Sequence, residues 1–113
     1  MKVKHGYLYL ADLNPQFGPE AGKSRPVLVI QTDLLNQFYH SSTWVLPCTT
    51  KLVGENILRV FVASGCAGNS FDCEVMIDQS RSIDNKRFKK ELKKLPLILF
   101  REIKDKLRLL GEF

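Results

Sequence analysis

The sequence contains no run of about 18 apolar residues, the length a membrane-spanning helix needs. After Met1-Lys2-Val3-Lys4-His5-Gly6 it also lacks the continuous apolar stretch of a signal peptide. A cytoplasmic protein with no membrane partner is the expectation. Cysteine is scarce: Cys48, Cys66 and Cys73 form an odd set without CxxC spacing, and His5 and His40 are the only histidines to join them. Neither a disulfide framework nor a zinc site is specified, no cofactor is expected, and the three thiols are expected to be buried small hydrophobes. The absence of GxSxG, P-loop, GxGxxG and HExxH patterns, and of a His/Cys nucleophile pair, removes most motif-bearing enzyme classes. Low-complexity tracts, long like-charge blocks and internal repeats are missing too, which excludes a disordered chain and a solenoid.

What is present is the composition of a globular protein: 113 residues, 44% apolar and 26% charged, enough for one domain spanning residues 1–113. The formal charge of +5 is unevenly placed. Residues 1–79 carry 6 Lys+Arg against 7 Asp+Glu, whereas residues 80–113 carry 11 against 5. A basic surface confined to the last third attracts a polyanion or an acidic protein, although a solvated helix face has the same composition.

Tyr7-Leu8-Tyr9-Leu10-Ala11-Asp12-Leu13 reads as a strand, and the turn residues from Asn14 to Lys23 as a long loop. Arg25-Pro26-Val27-Leu28-Val29-Ile30-Gln31 is the continuous run of a strand buried on both faces, with Pro26 near its start. Asp33 is placed to cap a short helical turn through Phe38. Thr43–Thr49, Ile57–Ala63 and Cys73–Gln79 supply three further strands, the last two separated by the loop Ser64–Ser70. Five short strands between residues 7 and 79 suggest a barrel or a strongly bent sheet. From Leu95-Pro96 onward the period changes. Apolar residues at Leu99, Ile103, Leu107 and Leu110 make one stripe of a C-terminal α-helix, with Pro96 in its first turn and Gly111 as its stop.

Two places carry candidate chemistry. Arg25 stands where the long loop enters a buried strand, and Thr49, with Thr50 beside it, ends the third strand. If those strand ends converge, a guanidinium fork and a hydroxyl face one small space. The fork fits paired phosphate oxygens and gains strength as a phosphorane accumulates charge, while the hydroxyl orients a non-bridging oxygen. On the residues alone, an Arg before a buried strand is more often a plain surface charge than a catalytic group. The second place is Asp78-Gln79-Ser80-Arg81-Ser82-Ile83-Asp84, where Asp78 is placed to act as a base or to orient Arg81. Alternatively, Asp84 caps the next turn while Asp78 and Arg81 form a structural pair.

Taken in order, four segments resemble the MazF/PemK family of toxin–antitoxin toxins. They are Gly6-Tyr7-Leu8-Tyr9-Leu10-Ala11-Asp12-Leu13-Asn14-Pro15, then Gly18-Pro19-Glu20 running on to Arg25-Pro26-Val27-Leu28-Val29-Ile30, then Pro47-Cys48-Thr49, and last Asp78-Gln79-Ser80-Arg81-Ser82-Ile83-Asp84. The resemblance implies an SH3-like β-barrel of about five to seven strands with a C-terminal α-helix and a short internal helix, dimerised about a two-fold axis. It further implies sequence-specific, metal-independent cleavage of single-stranded RNA, leaving 2′,3′-cyclic phosphate and 5′-hydroxyl ends. By motif match Arg25 stabilises the phosphorane, Thr49 holds the scissile phosphate and Asp78 stands at a position proposed as general base. Asn14, Phe17, Glu20, Lys23, Thr50, Gln79 and Arg81 then contact RNA, with Phe17 as a stacking candidate.

Two positions depart from the pattern: Pro19 and Met76 stand where some members carry a histidine and a basic residue, so no proton donor is assigned. Ser82 replaces a threonine and keeps its hydroxyl, and Ser80 replaces a residue that is usually apolar or proline. The family also implies an acidic antitoxin, disordered when free, that wraps the dimer and obstructs the RNA site. Two alternatives share the barrel. One is a gyrase-poisoning toxin, whose aromatic C-terminal pair the ending Leu110-Gly111-Glu112-Phe113 matches poorly, and the other is a nucleic-acid-binding module that leaves RNA intact.

Overall fold

The computed structural model describes residues 1–15, 18–19 and 22–113. Among these, seven strands and two α-helices occur, in a mainly β, barrel-like arrangement. The strands are β1 (Tyr7–Asp12), β2 (Ser24–Val29), β3 (Ser42–Thr49), β4 (Arg59–Val62), β5 (Cys73–Met76), β6 (Arg81–Asp84) and β7 (Phe88–Lys94). The helices are α1 (Asp33–Asn36) and α2 (Leu97–Gly111). Neighbouring strands run in the order β4-β5-β3-β2-β1-β7, and β6 pairs with β3.

Strand β3 joins the two halves of the sheet. Val45 to Pro47 pair with β2 on one edge. On the other edge Ser42 to Val45 pair with β6, and Cys48 and Thr49 pair with β5. Its residues Val45 to Cys48 and the β2 residues Val27 to Val29 are buried without interruption, as the unbroken apolar runs required. Leu28 and Leu46 join Leu8, Val60, Ile77 and Phe100 in one core cluster, while Val27, Val29 and Val45 join Tyr9, Leu13 and Phe88 in a second.

The two ends of the strand order, β4-β5 and β7, meet through the β4–β5 loop. Lys93 N–H donates to the carbonyl of Ala67 at 2.9 Å. Gly68, at φ +81, permits this close approach, because a Cβ there would lie 3.2 Å from the Lys93 nitrogen. Helix α2 lies across the barrel and buries Phe100 and Ile103 in the first cluster, with Leu99 and Leu107 packed beside them.

Several sequence expectations are corrected. Thr32, not Asp33, caps α1, its hydroxyl oxygen accepting from Leu34 N–H at 3.2 Å. The Asp33 carboxylate instead accepts from His5 N–H at 2.9 Å, and α1 ends at Asn36 rather than running through Phe38. The expected strand Ile57–Ala63 shortens to Arg59–Val62, because the Asn56 side chain accepts from Leu58 N–H and holds a turn before it. The expected strand Cys73–Gln79 stops at Met76, and Ile77–Gln79 forms a 3-10 turn.

At the C-terminus Leu110 is exposed rather than part of the buried stripe, and the helix stop is Glu112, in the left-handed conformation. Gly111 has a different use: a Cβ on it would meet the folded-back ring of Phe113 at 2.7 Å. Finally, Cys48 and Cys73 are buried as expected but Cys66 is exposed.

Candidate functional site

The ends of β2 and β3 do converge. Continuing the β2–β3 register two residues beyond Val27, which faces Pro47, sets Arg25 opposite Thr49. Arg25 is half-buried. Its Nε donates to the Gly22 carbonyl at 2.7 Å and its Nη1 to the Cys48 carbonyl at 3.2 Å, so the loop before β2 and the end of β3 hold the guanidinium from two sides. These bonds use two of its five N–H donors and leave the others for a ligand. Burial lowers its pKa from the ordinary arginine value without removing its charge. The Thr49 hydroxyl oxygen accepts from Lys51 N–H at 3.1 Å, which fixes the rotamer and leaves the proton to donate.

Both residues line a cavity of about 590 Å³ between β2, β3, the β4–β5 loop and β7. Lys23, Lys51 and Lys90 line it as well, and among its described lining residues there is no carboxylate. Four cations drawn from three segments thus face one space with no internal counterion among the described lining residues. That arrangement suits a ligand bearing more than one negative charge. Cys48 and Cys73, both free thiols, also border it; hydrogen bonding between them together with burial holds the Cys48 thiol well above its ordinary pKa, and the same interaction lowers that of Cys73.

Of the residues named from the sequence, Arg25, Thr49, Thr50 and Lys23 come together here. Asn14 closes the base of the β1–β2 loop, its side-chain oxygen accepting from Lys23 N–H at 2.7 Å. Phe17 and Glu20 lie outside the described residues. Asp78, Gln79 and Arg81 are not brought to the cavity. β5 begins at the cavity with Cys73 and runs away from it, so Asp78 sits exposed in the 3-10 turn beyond, which packs against α2. Asp84 caps the following turn by accepting from Lys86 N–H at 2.9 Å.

Sequence reasoning missed Glu74. It is 1% exposed, stands directly across from Thr49 on β5, and accepts from Val53 N–H at 3.1 Å, Gly54 N–H at 3.0 Å and Arg59 Nη1 at 2.9 Å. It therefore ties down the segment that follows Thr49 and Thr50, one wall of the cavity. Burial acts to raise its pKa, but the two backbone donors and the Arg59 guanidinium outweigh it and hold the carboxyl below the ordinary range. A lone charge within Cys73-Glu74-Val75-Met76-Ile77 was the signal that marked it. Lys90 was hidden in the charged stretch of β7.

The class defined so far is a β-barrel with a cationic cavity built on an arginine and a threonine hydroxyl. Comparison with known proteins narrows it. The family of PemK-like, MazF-like toxins of type II toxin–antitoxin systems matches over residues 4–111. Endoribonuclease EndoA of Bacillus subtilis is 38% identical over 89 residues, 77% of this chain and 75% of the relative. The crystal structure of the MazE–MazF complex from Deinococcus radiodurans (form II) is similar with a TM-score of 0.80 at 26% identity, covering 100% of this chain and 98% of that one. Free MazF of the same organism (form I) gives 0.86 at 24% identity, over 100% and 99%. The chain belongs to the PemK/MazF toxin family.

Proposed function

We propose that the chain is a type II toxin that acts as an endoribonuclease on single-stranded RNA, without a metal ion, to leave 2′,3′-cyclic phosphate and 5′-hydroxyl ends. The observation that carries this reading is the cavity where Arg25 and Thr49 meet among lysines. In the reaction the ribose 2′-oxygen loses its proton and attacks the adjacent phosphorus, the bond from phosphorus to the 5′-oxygen breaks, and that oxygen takes up a proton. Charge builds on the non-bridging oxygens as the 2′-oxygen adds. Arg25 supports that charge with planar donors already held in place, so little reorganisation is needed at the moment of reaction. The Thr49 hydroxyl donates to one of the same oxygens and fixes the phosphate for in-line attack. Lys23, Lys51 and Lys90 hold the flanking phosphates.

Asn14, Phe17, Glu20, Thr50, Gln79 and Arg81 are assigned to RNA beyond the scissile phosphate. Asp78 is assigned there too, because its place outside the cavity separates it from the phosphate that Arg25 holds within one protomer. The working form is a homodimer restrained by an acidic antitoxin. The similarity to MazF in a MazE–MazF complex supports that partner, and the exposed apolar side chains Leu34, Phe38, Leu97 and Ile98 leave surface for association.

Replacing the 2′-hydroxyl by hydrogen at the cut nucleotide alone is expected to abolish cleavage, while the same change two nucleotides away leaves a cut product on a denaturing gel. Cleavage that survives at the deoxy position would rule out attack by the 2′-oxygen.

A further inference from the structure

We infer that Phe71 is a stacking platform for an RNA base next to the phosphate held by Arg25, an inference that rests on the endoribonuclease reading and names a substrate-positioning residue for it. Phe71 is 69% exposed, yet it lines the same cavity as Arg25 and Thr49 and belongs to neither core cluster. Among the described residues its ring has no aromatic partner. Among the described residues, this large exposed ring beside four cations is packed into neither core cluster and against no other ring.

The backbone around that ring is held firmly. Asn69, 3% exposed, donates from Nδ2 to the carbonyls of Ala63 (3.2 Å) and Phe71 (2.8 Å), and its side-chain oxygen accepts from Ala67 N–H at 3.1 Å. The Asn69 carbonyl accepts from Gly65 N–H at 2.7 Å. On either side the Asp72 carboxylate accepts from Ser64 N–H at 2.8 Å, and the Ser64 hydroxyl donates to the Ser70 carbonyl at 3.0 Å. The bond between Lys93 and Ala67 then fixes the loop to β7. Phe71 therefore projects from a pre-ordered loop, so stacking on it loses little backbone freedom.

The charges around it identify the stacking partner. Arg25, Lys23, Lys51 and Lys90 call for a chain of phosphates, and in such a chain the flat group carried by each sugar between successive phosphates is a nucleobase. Every base has a π-face, so Phe71 adds affinity with little sequence preference, leaving base discrimination to hydrogen-bonding side chains.

The test uses the full-length protein and a single-stranded RNA oligonucleotide containing a mapped cut site. Phe71→Ala and Phe71→Leu are expected to raise KM on the order of tenfold with kcat within about threefold of wild type, whereas Phe71→Trp restores KM. Leucine keeps the apolar bulk and lacks the π-face, so its failure separates stacking from mere packing. With the same oligonucleotide made uncleavable by a 2′-deoxy substitution at the cut nucleotide, the added fluorescence of Phe71→Trp over the Trp44 background is expected to be quenched on binding. Melting temperatures of the variants should stay within about 3 °C of wild type, as the loop is held by backbone and Asn69 bonds. Wild-type KM in Phe71→Ala, full rescue by leucine, or a larger fall in melting temperature would each overturn the inference. If wild-type protein cuts no RNA, the endoribonuclease reading fails by itself, and quenching with an uncleavable oligonucleotide of mixed sequence still reports whether Phe71 stacks on a base.

Discussion

Arg25→Lys is expected to lower kcat for RNA cleavage by about 10²- to 10³-fold, the usual cost of removing one transition-state donor. The substitution keeps the positive charge, so electrostatic attraction of RNA changes little. Lost are the planar fork and the two bonds to the carbonyls of Gly22 and Cys48 that aim it. A lysine ammonium is a point charge on a flexible stem and cannot place paired donors on the oxygens of a phosphorane. KM and melting temperature are expected to stay close to wild type, because Arg25 is half-buried at a strand end rather than part of the core. Single-turnover kinetics on a mapped oligonucleotide read this directly. Wild-type activity in Arg25→Lys would remove the residue from the chemistry.

Glu74→Ala is expected to destabilise the fold by about 3 kcal/mol, since breaking a buried ion pair leaves its partner uncompensated. The Arg59 guanidinium loses its carboxylate, and the amides of Val53 and Gly54 lose their acceptor. A melting temperature lower by on the order of 10 °C follows for a domain of this size. Cleavage at a temperature where the variant is still folded should also fall, because the segment after Thr49 loses its anchor. The same residue sets an acid limit. Its folded-state carboxyl lies below the ordinary glutamate value of about 4.3, so the stability it supplies is complete above that pH. It is lost as the pH falls further through the folded value. Melting curves from pH 5 to pH 3 should therefore drop more steeply for wild type than for Glu74→Gln, which has no charge to lose. Parallel slopes would show that Glu74 is not tied as described.

The parts of the fold that were legible in the sequence are those whose burial writes a pattern. β2 and the middle of β3 are apolar on both faces because each face meets a different core cluster. The stripe of α2 appears because only one side of that helix is covered. β6 and β7 left no such pattern. In Phe88-Lys89-Lys90-Glu91-Leu92-Lys93-Lys94 most side chains are exposed, and the segment is a strand because β1 offers it an edge to pair with. Lysine on such a strand also discourages pairing with other molecules. Pairing is a long-range fact that a local charge pattern does not carry.

The candidate site was partly readable for the same reason. Arg25 and Thr49 mark strand ends, and strand ends in a bent sheet meet. Lys90 reaches the cavity because β7 pairs with β1 beside β2, and Phe71 because the β4–β5 loop bonds to β7, long-range pairings that no local signal announces. Asp78, close in sequence to the end of β5, is carried away from the cavity by the direction of that strand.

The central claim is that this toxin cuts single-stranded RNA by itself, through Arg25, with no metal ion. The most direct measurement is incubation of the purified protein and of Arg25→Ala with a long single-stranded RNA in EDTA, followed by mapping of the cut positions and their end groups. Discrete cuts with 5′-hydroxyl and 2′,3′-cyclic phosphate ends, absent in the variant, are the predicted result. RNA left intact by the wild-type protein in EDTA, or cut equally well by Arg25→Ala, would contradict it.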